Sequence, residues 1–327
     1  MSCDRKSGPI AAQGARTTRP GQPSFNRYGV SIAAVFNRHV PITLNEPGTD
    51  GLPEAIRVLR EWQHDGAPVP LHPGDLGWYC RFGEAATAAA VRTWSRAGQV
   101  LAVGLLDGPG LLRLAIAPAS QQDEELARQL VADANRPERG ILPAGDKYIE
   151  VRSGALFREL LADDGWDYDE PWAPLARDLA GPVPDCGLRI EVTSPDQAEV
   201  RAAVQRAAFD KSTFTAERWH AMAAGVAYAD ARCLVGYDGQ DTAVAAATAW
   251  SAGPGRPGLL EPLGVHRDHR GHGYGTAISL AAAAALRELG SSSATVCTPS
   301  ANLAAVTTYA SAGFQQLPQV RDLHRSA

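Results

Sequence analysis

Arg270-Gly271-His272-Gly273-Tyr274-Gly275 is the stretch whose residue types and spacing bear most directly on chemistry. It lies between an apolar run, Leu259 to Val265, and an alanine-rich run that ends at Arg287-Glu288-Leu289-Gly290. The first run reads as a strand and the second as a helix with a glycine stop. Such a junction aims several backbone N–H groups, and the positive end of a helix dipole, at one point. Glycine lets the backbone come close to an anion and take a positive φ. The residues 271–276 therefore suit a phosphate or pyrophosphate.

A dinucleotide fingerprint would need G-x-G-x-x-G early in a βαβ unit, with an acidic residue about twenty positions on. Here Gly271-x-Gly273 is followed by Thr276, and the motif comes late in the chain. His266, His269 and His272 surround the loop, but their spacing around an anion site reads as polar side chains facing solvent, and no metal is expected.

The elements that must position this loop follow from periodicity and punctuation. Upstream, Pro53 to Gln63 reads as a helix, Trp78 to Phe82 as a strand, and Ala85 to Arg96 as a helix. Val100 to Leu106 and Leu111 to Ala117 form a hairpin around Asp107-Gly108-Pro109-Gly110. Asp123 to Asn135 is a helix, Lys147 to Arg152 a strand, and Ala155 to Asp163 a short helix. Gly181-Pro182-Val183-Pro184-Asp185 punctuates the chain as a linker. Beyond it come a strand (Leu188 to Val192), helices Gln197 to Phe209 and Thr215 to Ala224, and strands Cys233 to Tyr237, Ala243 to Trp250 and 259–265. A helix (276–289), a strand (Thr295 to Thr298), a helix (Asn302 to Ala312) and a last strand from Phe314 complete the chain. Both halves share an order of elements, which reads as a weak internal duplication.

The order β-α-α-β-β-β-α-β-α-β, with the glycine loop at the fourth strand-to-helix junction, resembles the GCN5-related N-acetyltransferase (GNAT) family. That family's acetyl-CoA loop has Gln or Arg, glycine three positions on, and glycine or alanine five positions on. Arg270, Gly273 and Gly275 fill it. Asn302, Ala305, Tyr309 and Gly313-Phe314 fall at the spacing of a second family motif, N-x-x-A-x-x-x-Y-x-x-x-G-F. The resemblance covers roughly residues 188–327.

The resemblance implies acyl transfer from acetyl-CoA to an amine, directly, in a ternary complex. It implies that Arg270, Gly271, His272, Gly273, Tyr274, Gly275 and Thr276 cradle the pyrophosphate. It also implies that Leu263, Gly264 and Val265 pair with the pantetheine arm as a strand would. Pro262 and Gly264 are unusual in a central strand and point to a bulge that splays it from its neighbour. Tyr309 matches the family's usual general acid. Glu261 stands where several members carry a carboxylate that takes the amine's proton, and it could equally contact a substrate ammonium. Asn302 could cap its helix and touch the cofactor. Trp219, Tyr228 and Trp250 could line an acceptor pocket, though core packing accounts for each.

The expected fold class is α/β, with two GNAT-like domains, each a mixed, mostly antiparallel central sheet flanked by helices. The boundaries are 1–27 for a polar, disordered tail, 28–180 for a degenerate domain, 181–187 for the linker and 188–327 for the acetyltransferase domain. The N-terminal junction, Ala117 to Glu125, lacks glycine and arginine and carries Asp123, Glu124 and Glu125, which would repel a pyrophosphate. The alternatives are an acyl-CoA-binding regulatory protein without turnover, and a transferase using a longer acyl-CoA or a carrier-protein donor.

Composition narrows the partners. The chain has 327 residues, 45% hydrophobic, and a formal charge of −5 with no basic patch, which argues against nucleic acid. No apolar run is long enough to span a membrane. Five scattered cysteines without a CxxC read as free thiols, and a cytoplasmic location is expected. The partner is then a small-molecule amine. Its identity and the oligomeric state lie beyond the sequence.

Overall fold

The structure, a computed structural model, describes residues 40–67 and 71–326. The expected tail, and residues 28–39 of the expected degenerate domain, lie outside those residues. The N-terminal half contains β1 (Thr43–Asn45), α1 (Gly48–Trp62), α2 (Pro73–Tyr79), α3 (Glu84–Ala90), β2 (Val91–Arg96), β3 (Gln99–Leu106) and β4 (Leu111–Ile116). It continues with α4 (Glu124–Asn135), β5 (Lys147–Val151), α5 (Ala155–Asp163) and β6 (Asp167–Asp178). The C-terminal half contains β7 (Arg189–Val192), α6 (Ala198–Ala208), α7 (Ala216–Ala223), β8 (Ala231–Tyr237), β9 (Ala243–Trp250) and β10 (Gly258–Val265). It ends with α8 (Tyr274–Glu288), β11 (Ser293–Pro299), α9 (Leu303–Ser311), β12 (Gln315–Gln316) and β13 (Val320–Arg325).

One sheet runs through both halves in the order β1-β2-β3-β4-β5-β13-β6-β11-β10-β9-β8-β7. Most neighbours are antiparallel. The pairs β4–β5 and β10–β11 are parallel, each bridged by a helix, α4 and α8. The two halves thus repeat one order of elements. They also trade their last strands. β6, from the first half, pairs with β11 of the second, and β13, from the second, pairs with β5 of the first. Charged side chains of the N-terminal half are thereby brought beside C-terminal strands.

Local sequence explains most elements. α1 buries Leu52, Ala55, Ile56, Val58 and Leu59, one face of a helix, and starts earlier than Pro53. α8 packs alanines 277, 281, 282 and 285 against β9, itself rich in alanine, so helix and sheet approach closely.

Two expectations fail. Trp78 to Phe82 is not a strand. α2 covers it as far as Tyr79 and a short 3-10 turn follows over Cys80–Phe82. Pro73 at the first turn and a reciprocal His72–Asp75 capping box start a helix there, and aromatic content misled the reading. Ala85 to Arg96 is not one helix either. α3 stops at Ala90 and Val91–Arg96 is β2, folded back onto β3. The turn uses Ala97 and Gly98, both at positive φ, a hairpin signal that the alanine run masked. The aromatic, acidic run after Trp166 turns out to be the long strand β6.

Candidate active site

The site is built on an interruption of β10. Its parallel pairing with β11 ends at Leu259↔Thr295, and its pairing with β9 shifts register between Leu260 and Leu263. This is the bulge and splay expected from Pro262 and Gly264. Exposure follows: Gly258 to Leu260 are buried, and Glu261 to Val265 are partly open. Among the described residues, no side-chain hydrogen bond reaches the backbone of Leu263, Gly264 or Val265. Gly264 is needed for packing, because a Cβ there would lie 2.6 Å from the Ala208 Cβ at the end of α6.

Past β10, Gly271 and Gly273 have φ of +82° and +80°, and a Cβ on either would meet nothing within 4 Å. The loop is exposed and leads into α8 at Tyr274, so it is an open anion cradle at a helix N-terminus. Gly275 serves packing, since a Cβ there would meet Thr308 Cγ2 at 2.8 Å. The Arg270 guanidinium donates to the Ala208 carbonyl at 2.8 Å, which ties the cradle to the end of α6. Thr276 Oγ1 lies 3.5 Å from the Thr308 carbonyl. His272 stacks on Tyr274, while His266 accepts from the Asp268 N–H, so the three loop histidines serve local geometry. Among the described residues no group of His, Cys, Asp or Glu converges as a metal site.

Glu261, Leu263, Asn302 and Tyr309 line one cavity of about 460 Å³ at the splay. Asn302 caps α9, accepting from the Ala305 N–H at 3.2 Å. Tyr309 is buried against Phe314. Burial, together with the nearby Glu261 charge, pushes its phenol up, so it stays protonated. Glu261 is pushed up to about 8, first by burial and then by the neighbouring Asp75 carboxylate, with Arg113 opposing.

The rest of the cavity wall was not anticipated. Asp75, Asp107, Arg113, Glu150 and Arg152 come from the N-terminal half, and Asp322 from β13. Arg113 lies 2.8 Å from Asp75, 3.1 Å from Glu150 and 3.5 Å from Asp107. Burial opposes its charge, and those carboxylates outweigh it. Arg152 lies 3.3 Å from Asp322 and 3.6 Å from Glu150. Burial alone would raise Glu150, but the two guanidiniums hold it down. Asp322 is pushed up to about 6 by burial. Charged residues at Arg113 in β4, at Glu150 in β5 and at Arg152 just past β5, all largely buried, were the available signal. Trp219, Tyr228 and Trp250 do not line this cavity. They meet edge to face in the core.

No helix among the described residues is long and apolar enough to cross a membrane. Cys80, Cys186, Cys233 and Cys297 are free thiols.

The comparisons agree with this geometry. Residues 198–314 match the model of the acetyltransferase (GNAT) family. No curated protein matches the chain in sequence. Among solved structures, the chain is similar to a GCN5-related N-acetyltransferase from Sphaerobacter thermophilus, at 16% identity and TM-score 0.53, over 87% of this chain and 95% of that one. A tandem GNAT protein from the clavulanic acid biosynthesis pathway aligns at 15% identity and TM-score 0.53, over 87% and 98%. A GNAT-family acetyltransferase from Colwellia psychrerythraea aligns at 14% identity and TM-score 0.56, over 86% and 98%. These identities speak to fold alone, and the fold they share spans both halves. With the glycine loop and the splayed strand in the matched region, residues 198–314 match the acetyltransferase (GNAT) family, whose chemistry is acyl transfer from acyl-CoA, and the chain is an acyltransferase.

Proposed function

We propose that the protein transfers an acetyl group from acetyl-CoA to a primary amine of a small molecule, directly, in a ternary complex. The observation that carries this reading is the cavity in which Glu261 and Tyr309 face one space at the end of the opened β10. The residues present fit the donor. Gly271 and Gly273 leave the cradle clear, and β10 leaves a free backbone edge at Leu263 to Val265.

The acceptor arrives as an ammonium ion and must lose a proton before its nitrogen can attack. The cavity wall carries Asp75, Asp107, Glu150, Glu261 and Asp322 against Arg113 and Arg152, a surplus of carboxylate that favours a cation. Glu261 takes the proton, breaking an N–H bond and forming an O–H bond. The amine nitrogen then bonds to the acetyl carbonyl carbon, and the carbon–sulfur bond breaks. Tyr309 gives its proton to the departing sulfur, which leaves as a thiol, and the extra proton on the acylated nitrogen passes to the Tyr309 phenolate, leaving a neutral amide, while Glu261 releases its proton to solvent. In this proposal residues 188–327 carry the chemistry, while 28–180 form a degenerate lobe that walls the acceptor site.

A panel of primary amines offered with acetyl-CoA, with free thiol release as the readout, tests the proposal. Amine-dependent release supports it. Binding of acetyl-CoA without release across the panel would favour a regulatory protein, and release only with longer acyl-CoA would change the donor.

A further inference from the structure

α2, an element of the N-terminal half, is fitted to the C-terminal half with little room to spare. A Cβ at Gly74 would lie 2.5 Å from the Trp250 side chain, and one at Gly77 would lie 2.4 Å from its ring. These glycines let the helix backbone rest on Trp250 of β9. The Trp250 indole N–H donates to the Glu261 carbonyl at 2.6 Å, so the same side chain fixes α2 and the backbone of Glu261. His72, just ahead of the helix, adds a second tie. Its Nδ1 accepts from the Gly74 N–H at 2.9 Å, so Nε2 carries the hydrogen and donates to the Pro257 carbonyl at 3.2 Å. Pro257 directly precedes β10.

This docking delivers Asp75, 2% exposed, to Glu261. One oxygen of Asp75, Oδ2, accepts from the His72 backbone N–H at 2.6 Å. The other, Oδ1, has Arg113 Nη2 at 2.8 Å, yet no N–H is aimed at it among the described residues. It keeps a lone pair for a further donor, and Glu261 is placed to supply it. We propose that Asp75 is a positioning residue for the reaction: its carboxylate accepts a hydrogen bond from the Glu261 carboxyl, and the pair holds the acceptor's proton between them.

In charge terms, an ammonium ion facing two carboxylates becomes a neutral amine facing one carboxylic acid and one carboxylate. The proton moves from nitrogen to Glu261. Two carboxyl groups that share a site cannot both ionise easily, so one becomes a stronger base than a lone carboxylate. Other charges that face Glu261 are Arg81 beyond α2, Arg113 on β4, Glu150 on β5 and the Tyr309 phenol on α9. The arginines and Glu150 pull in opposite directions, and Asp75, on the wall of the same cavity, is the largest influence after burial.

The inference rests on Glu261 as the base, and the test separates the two. Glutamate labelled with ¹³C at the side-chain carboxyl is followed by NMR titration of the full chain without substrates. The Glu261 signal is assigned by its absence in Glu261→Gln. Its midpoint is expected near 8 in the native protein, and lower by about one unit or more in Asp75→Asn, whose amide oxygen can keep the His72 contact. In turnover, the rise in kcat/KM from pH 6 to 9 attributable to this group should shrink from about a hundredfold to about tenfold. An unshifted midpoint in Asp75→Asn overturns the pairing. A native midpoint near the ordinary 4.5 overturns it even if that variant does not fold. Full turnover by Glu261→Gln would instead remove the base reading, whatever the titration shows.

Discussion

The two strand-to-helix junctions occupy matching places in the repeated order and do different work. At β10–α8 the parallel neighbour is lost after Leu259, and among the described residues no side-chain hydrogen bond reaches the backbone of Leu263 to Val265. At β4–α4 the pairing with β5 ends at Leu114↔Val151, and side chains of the same half bond to the strand's freed backbone. Ser153 Oγ receives the Ile116 N–H at 3.4 Å, and Gln121 Nε2 donates to the Ile116 carbonyl at 2.8 Å. Asp123 caps α4 by accepting from the Leu126 N–H at 3.0 Å and pairs with Arg96. Arg96 also lies 2.8 Å from Glu125. Repulsion by an acidic junction was the expected reason for a missing anion site. The structure adds a different one: Arg96 partly neutralises the acids, and beside a cavity of about 700 Å³ at this junction Ser153 and Gln121 take up the Ile116 backbone groups that a ligand would need. A splay is a site only where the chain leaves its polar edge unanswered.

The largest expected effect tests that contrast directly. Gly273→Glu adds bulk, a charge and a side chain at positive φ to the open cradle, and should abolish acetyl-CoA binding by calorimetry. At an effective dielectric of about 20, like charges some 4 Å apart cost on the order of 4 kcal/mol, or about three decades of affinity before screening. The native chain should bind one equivalent. A stoichiometry near two, or residual binding in the variant, would mean that the N-terminal junction also holds a donor.

Next comes Tyr309→Phe. If the phenol protonates the leaving sulfur, kcat should fall by roughly 10²–10⁴-fold while acetyl-CoA affinity hardly changes. An unaltered kcat would take Tyr309 out of the mechanism.

Glu261→Gln should cut turnover at neutral pH and lose less as pH rises, because more acceptor is then already neutral. In the native enzyme the base must be ionised, so kcat/KM should climb with pH through about 8. A pH-independent loss with a raised acceptor KM would make Glu261 a binding contact. Stability gives a second reading. A carboxyl raised in the folded state favours folding below its unfolded value and loses that contribution as pH rises through about 8. Glu261→Gln should therefore flatten that decline in Tm.

The smallest effect belongs to the N-terminal junction. Asp123→Ala removes a helix cap worth roughly 0.5–2 kcal/mol and should lower Tm by a few degrees. Acetyl-CoA binding should be unchanged. Weakened binding would show that the two junctions are coupled.

Much of the local architecture was set by nearest-neighbour chemistry and could be read from the chain alone. The Asp107-Gly108-Pro109-Gly110 turn and the bulge at Pro262 each depend on residues a few positions apart. The glycine loop and the Tyr309 motif were legible for the same reason. The misreadings at Trp78–Phe82 and Ala85–Arg96 arose where one composition supports two local structures and tertiary contact decides. α2 is held by Trp250, and β2 by pairing with β3.

What the sequence could not determine was the partner of each half. Ending β6 beside β11 and β13 beside β5 requires contacts between residues more than a hundred positions apart, and no local period encodes them. The acidic wall exists only after that exchange and the docking of α2. Until then Asp75, Arg113 and Glu150 are isolated charges on separate segments. The ionisation of Arg113 and Glu150 depends on burial and on neighbouring charge, and both of those are properties of the folded chain.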